Sequence, residues 1–168
     1  VLEEPSLQLR TPHDVPRASL VLAVGEADNP GTEVWMGGAR SYIGDHVSES
    51  VVAASWLVDC AGDMPAAHRT AAGLWVACVF ADHDGPLPPS LRLDHVVSDA
   101  ARAARGEHPQ PPQRIYVMCT HGMNRSGLVT GLILRSLGVD GPGAVERIRS
   151  ARPGALSNLH FRDMLLYS

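Results

Sequence analysis

Cys119 and Arg125 stand with five residues between them in the segment Ile115–Gly127, IYVMCTHGMNRSG, and Ser126 follows the arginine directly. A thiol, a guanidinium and a hydroxyl at this spacing suit attack on a bound phosphate. A phosphate dianion needs many donors converging on three oxygens. A short loop between a strand and a helix turns successive backbone N–H groups inward and forms an anion nest; here Thr120, His121, Gly122, Met123 and Asn124 would supply it. The following helix adds the positive end of its dipole. Gly122 permits a turn closed to residues with a Cβ, and Arg125 can fork two N–H donors onto two phosphate oxygens. The same field favours a thiolate, so Cys119 is the expected nucleophile and a cysteinyl-phosphate the expected intermediate. Ser126 is expected to hydrogen-bond the sulfur and help it leave. The competing reading, a buried core thiol, is the weaker one because this loop is polar, glycine-containing and arginine-bearing.

Such a loop needs a strand before it and a helix after it. Arg114–Met118 supplies the strand, and a helix from near Arg125 to Leu137, stopped by Gly138, supplies the other. Further strands are expected at Ser19–Val24, Glu33–Met36, Ala54–Asp59 and Leu74–Phe80, the last two as buried strands. Pro89 and Ser90 open a segment with Leu93, Val96, Val97, Ala100, Ala101 and Ala104 at helical spacing. A third helix is expected near Pro142, burying Val145 and Ile148. A fourth starts at Ser157 as N-cap and carries Phe161, Met164 and Leu165. Strands alternating with helices predict one α/β domain over residues 19–168, preceded by an extended arm over residues 1–18 that holds Pro5, Pro12 and Pro16.

Composition narrows the chemistry. All 14 basic residues are arginine, so mechanisms that need a lysine, such as P-loop NTPases and Schiff-base enzymes, are excluded. The 168 residues are 45% apolar and carry a formal charge of −4, which fits a globular domain without an extended nucleic-acid footprint. The three widely spaced cysteines, Cys60, Cys78 and Cys119, fit neither a disulfide framework nor a zinc site. The eight histidines show no ligand spacing, so no metal and no cofactor are expected. No signal peptide or membrane-spanning stretch is read, and a cytoplasmic, reducing setting and a monomer are expected. Cys78 is expected in the core.

The C-x5-R loop followed by Ser-Gly resembles the signature of the protein-tyrosine phosphatase superfamily. The string CTHGMNRSG is most similar to dual-specificity phosphatases, including the RNA 5′-triphosphatase branch of mRNA capping enzymes. The stretches VWMGGARSYIG, residues 34–44, and RIRSARPGALSNLHF, residues 147–161, resemble the opening strand and the closing helices of small bacterial members. The resemblance implies the cysteine-phosphatase fold: a central, mainly parallel sheet of four or five strands flanked by helices. It implies two-step hydrolysis of a phosphomonoester on phosphorylated protein (phosphotyrosine, phosphoserine or phosphothreonine) or on a small phosphomonoester, with RNA 5′-triphosphate, sugar phosphate and lipid phosphate as alternatives. A phosphate-binding module without turnover is the other class.

The same resemblance places a carboxylic acid, the proton donor to the leaving oxygen, on the loop FADHDGPLPP after the strand ending at Phe80. Asp82 is preferred and Asp84 is the alternative. Asn158 falls where the family often places a polar group near the hydrolytic water; plain capping of the last helix is the competing reading. In the phosphoinositide-phosphatase branch a cysteine placed like Cys60 can form a reversible disulfide with the nucleophile, which makes Cys60 a candidate redox partner. His121 is expected to orient the loop backbone. Met118 departs from the pattern, since most members carry His before the nucleophile. The string VFADHDGPL also faintly resembles the haloacid-dehalogenase motif, but that fold needs a downstream lysine and Pro86 stands where it wants Thr.

Overall fold

The computed structural model describes residues 18–26, 29–40 and 46–167. Among these residues five strands form one sheet: β1 (Ala18–Glu26), β2 (Asn29–Gly38), β3 (Trp56–Asp59), β4 (Leu74–Ala77) and β5 (Arg114–Cys119). Their spatial order is β1-β2-β5-β3-β4. β1 and β2 form an antiparallel hairpin, and the pairs β2–β5, β5–β3 and β3–β4 are parallel. Among the described residues six helices accompany the sheet: α1 (Glu49–Val52), α2 (Ala66–Ala71), α3 (Leu93–Ala104), α4 (Arg125–Ser136), α5 (Gly141–Ala151) and α6 (Leu159–Tyr167). This is the α/β architecture, with a mainly parallel sheet flanked by helices, that the alternation of strand and helix signals predicts.

β5 is central and buried along almost its whole length, as a near-continuous apolar run in a parallel sheet should be. Its side chains alternate between two cores. Ile115, Val117 and Cys119 join the core formed with α3–α6, including Leu128, Ile133, Ile148 and Phe161. Tyr116 and Met118 join a smaller core with Trp35, Val52, Leu57 and Met64. The two-residue period of the strand therefore brings Cys119 out on the face where α4 begins.

Several boundaries differ from expectation. The strand expected over Leu74–Phe80 ends at Ala77 and is an edge strand, with Leu74 and Trp75 each 41% exposed. Pairing on one side only leaves an edge strand half covered. Cys78 and Phe80 are buried, but beyond the strand's end. α3 starts at Leu93 rather than at Pro89 and Ser90, and its N-cap is Arg92. At α6 the cap is Asn158 rather than Ser157: Oδ1 of Asn158 accepts from the N–H of Phe161 at 3.2 Å, while the Ser157 hydroxyl donates to Asn124. α1 and α2 were not expected, because four and six residues carry too few turns to show a period. α4 and its stop at Gly138, which has φ +100°, match the reading, as does the first-turn Pro142 of α5 behind the cap Asp140. The arm expected over residues 1–18 lies outside the described residues except for Ala18, which opens β1. Residues 41–44 of the resembling stretch over residues 34–44 also lie outside them.

Candidate active site

Cys119 is the last residue of β5 and Arg125 the first of α4, so the five residues between them form the strand-to-helix loop. Every carbonyl from Cys119 to Met123 is engaged by the surrounding structure, and that of Asn124 by the helix it caps. The carbonyl of Cys119 accepts from Ala39 N at 2.8 Å and that of Thr120 from Arg40 N at 3.3 Å. Those of His121 and Gly122 accept from Arg152, through Nη2 at 3.1 Å and Nε at 2.6 Å. The Met123 carbonyl accepts from Leu156 N at 3.0 Å, and that of Asn124 from Leu128 N inside α4 at 2.8 Å. In a trans peptide the C=O and the next N–H point in opposite directions. Pinning the carbonyls outward therefore turns the N–H groups of residues 120–124 toward a common centre. Among the described residues no acceptor meets the N–H of Gly122, Met123 or Asn124.

Two glycines let the loop close against the end of β2. Gly122 has φ +73°, and a Cβ there would collide with the carbonyl carbon of Gly37. A Cβ on Gly38 would meet the carbonyl oxygens of Thr120 at 2.8 Å and Arg40 at 2.9 Å. Tyr116, buried beneath, donates its hydroxyl to the Gly38 carbonyl at 2.7 Å. Burial pushes the Tyr116 phenol upward in pKa, so it remains a donor.

Cys119 is 3% exposed, and its thiol donates to Oγ of the fully buried Ser126 at 3.3 Å. Arg125 reaches back over the cradle. Its Nη2 donates to Oγ1 of Thr120 at 3.2 Å and its Nη1 to the carbonyl of Phe80 at 3.3 Å. Its Nε is buried and meets no partner among the described residues. A buried donor without an acceptor costs about 1–3 kcal/mol, a cost that an anion in the cradle would remove.

Arg152, 2% exposed, holds the loop from behind and also donates to Oγ of Ser19 at 3.1 Å. Its role escaped the sequence reading, which used the residues 147–161 only as a resembling string. A signal was present: Val145, Ile148 and Arg152 fall on one helical face, and the first two are core. A charged residue continuing an apolar stripe marks a buried contact worth identifying.

The two carboxyl candidates separate clearly. Both Asp82 and Asp84 are exposed. Asp82 is tied to the cradle: Oδ2 accepts from Nδ2 of Asn124 at 3.0 Å and Oδ1 from Nδ2 of Asn158 at 2.8 Å. Asn158 Nδ2 also donates to the carbonyl of His83 at 3.0 Å. No hydrogen bond involves the Asp84 side chain among the described residues. Asn158 thus both caps α6 and holds the loop of Asp82. His121 is half-buried; burial lowers its imidazole pKa, with the Arg40 and Arg125 charges adding to the fall and Asp63 opposing it. Met118 points into the smaller core, away from the side occupied by Cys119.

Cys60 follows β3 on the strand beside β5. Its N–H donates to the Met118 carbonyl at 2.8 Å, and Asp59 pairs with Met118, so Cys60 lies beside Cys119 in the parallel register. Both side chains belong to the larger core. Burial pushes the Cys60 thiol up, as do the nearby Cys119, Cys78 and Asp59, with Arg125 opposing. Burial pushes Cys78 up to about 11.

No family model matches this chain, and no curated protein matches it. Solved structures do. Human DUSP28 superposes with a TM-score of 0.59 at 21% identity, over 79% of this chain and 84% of that one. Kinase associated phosphatase, with its catalytic-site cysteine substituted by serine, gives a TM-score of 0.61 at 13% identity over 93% of both chains. Tk-PTP in its active form gives 0.57 at 15% identity over 89% and 94%. The chain has the fold of these proteins. Among the described residues no helix is long and apolar enough to cross a membrane.

Proposed function

We propose that this chain, built on the fold shared with dual-specificity and tyrosine phosphatases, hydrolyses phosphomonoesters through a cysteinyl-phosphate. The observation that carries the reading is the engagement of all five carbonyls from Cys119 to Met123 by partners outside the loop, around one buried thiol. A loop so held presents a ring of amide hydrogens to an oxyanion. Cys119 Sγ, its proton lost to solvent, attacks phosphorus in line as the thiolate. Arg125 swings its fork onto two equatorial oxygens, and Asp82 protonates the leaving oxygen. Asp82 then takes a proton from the water that attacks the intermediate. The Cys119 thiolate departs, its charge accepted by the Ser126 hydroxyl, whose proton rotates toward sulfur. Asp82 rather than Asp84 takes this part because only Asp82 is fastened to the cradle.

The substrate class we favour is phosphorylated protein with dual specificity, a reading supported by the likeness to a mouse putative dual specificity phosphatase and a putative protein tyrosine phosphatase from Leishmania major. The reading is tested by turnover of an aryl phosphate against Cys119→Ser. Wild-type release of phosphate well above the serine variant is expected. Equal rates in the two would leave a phosphate-reading module in its place. Phosphopeptides bearing phosphotyrosine, phosphoserine and phosphothreonine, set beside inositol phosphates, sugar phosphates and triphosphate-ended RNA, then test the substrate class.

The register also supports Cys60 as the redox partner of Cys119. Neighbouring positions on adjacent strands, facing the same core, fall within the span a disulfide bridges.

A further inference from the structure

Asn124 occupies the N-cap of α4, yet its side chain makes no capping bond. An asparagine there ordinarily spends its side-chain oxygen on the first N–H groups of the helix. Here both ends of the amide are committed elsewhere. Oδ1 accepts from the N–H of Asn158 at 2.9 Å and from the Ser157 hydroxyl at 3.3 Å, while Nδ2 donates to Asp82 at 3.0 Å. The first N–H groups of α4 are thereby left for an anion. The backbone N–H of Asn124 itself belongs to the cradle, because the carbonyl before it is held by Leu156. One residue thus addresses the phosphate through its backbone and the acid through its side chain.

From these contacts we infer that Asn124 is a positioning residue for proton transfer: its amide fixes the Asp82 carboxylate to the phosphate cradle, so the leaving oxygen and its proton donor share one frame. The inference rests on the phosphatase reading above. Asp82 needs such a fixture, since it sits on an exposed loop five residues past the end of β4. The titratable and charged groups on the elements around it are His83 and Asp84 on its own loop, Cys119, His121 and Arg125 in the cradle, and His160, Arg162 and Asp163 on α6. Asn124 and Asn158 are the side chains that bond its carboxylate.

General-acid assistance matters most when the leaving group is a poor one. The experiment compares kcat on phenyl phosphate with kcat on an aryl phosphate whose phenol is strongly activated. For Asn124→Ala the ratio of activated to phenyl turnover should rise on the order of 30-fold over wild type. In the near-isosteric Asn124→Asp a second carboxylate beside Asp82 disfavours its ionisation, so the basic limb of the kcat–pH profile should move to higher pH. That second variant serves where the alanine chain does not fold. Equal losses on both esters, or an unmoved basic limb, would show that Asn124 serves the cradle alone and would overturn the inference. A wild-type chain no faster than Cys119→Ser is a different failure, that of the phosphatase reading itself.

Discussion

Nε of Arg152 donates to the carbonyl of Gly122 at 2.6 Å from a site almost closed to solvent. The guanidinium engages two peptide units of the cradle and places a cation behind it. Arg152→Met should leave the His121 and Gly122 carbonyls without these donors and destabilise the fold by about 1–3 kcal/mol for each. Arg152→Lys keeps the charge but not the planar fork. It should stay folded and lose on the order of 10²-fold in kcat, the scale of one misplaced oxyanion donor. Thermal melts and aryl-phosphate kinetics on both variants check this; a lysine variant with wild-type kcat would show that the fork is dispensable.

Gly122 and Gly138 form a matched pair. Both have positive φ, +73° and +100°, but a Cβ at Gly122 runs into Gly37 whereas one at Gly138 meets nothing within 4 Å. Gly138→Ala should cost only the conformational term, about 1–2 kcal/mol, with turnover intact. Gly122→Ala adds a backbone collision, about 1–3 kcal/mol more, and should abolish oxyanion binding as the loop is displaced from β2. Melting curves with and without vanadate separate the two: vanadate should raise the midpoint of Gly138→Ala and not that of Gly122→Ala.

Local signals make the loop legible in the sequence alone. An apolar run ending at Cys119, a polar turn with Gly122 and an amphipathic stretch from Arg125 fix strand, loop and helix within one window of sequence. What holds that loop was not legible, because it comes from far away along the chain. Arg152, Ala39, Arg40 and Leu156 reach it through tertiary contacts that no local period encodes. The same is true of the carboxyl pair. Asp82 and Asp84 look alike in sequence, and only the distant amides of Asn124 and Asn158 distinguish them. The edge position of β4 was hidden for a related reason: Leu74–Ala77 is apolar enough for a central strand, and sheet order is set by the crossovers.

The three thiols should behave differently. Cys60 and Cys78 are held as thiols, Cys78 with its pKa pushed up to about 11, so both should resist iodoacetate at neutral pH. Cys119, facing an anion cradle, should be alkylated first and protected by phosphate. The folded chain holds the Cys60 and Cys78 protons more tightly than the unfolded chain, whose thiols titrate near the ordinary 9.0. Folding stability should therefore fall as pH rises from about 9 toward 11. Under mild peroxide, Cys119 sulfenic acid should condense with the Cys60 thiol, releasing water and giving a Cys60–Cys119 disulfide. Peptide mapping that finds no such crosslink, or equal overoxidation of Cys119 in wild type and Cys60→Ser, would remove Cys60 from any redox role.

The choice between the two carboxyls is decided by pH. A general acid must be protonated in the substrate complex, so loss of its proton sets the basic limb of the kcat profile. Asp82→Asn should flatten that limb and lower kcat on phenyl phosphate by roughly 10²-fold or more, the usual worth of a positioned acid. The loss should be far smaller with an activated phenol, which departs without a proton. Asp84→Asn, changing an exposed side chain that bonds nothing in the cradle, should leave both the limb and the leaving-group dependence as in wild type. The two amides that hold Asp82 make the expectation sharper still. Asn158→Ala, which frees the opposite carboxylate oxygen from the one Asn124 holds, should show the leaving-group signature of Asp82→Asn in weaker form. If Asp84→Asn flattened the basic limb instead, the loop would have to rearrange on substrate binding to exchange one aspartate for the other, and the amide contacts to Asp82 would describe a resting state only.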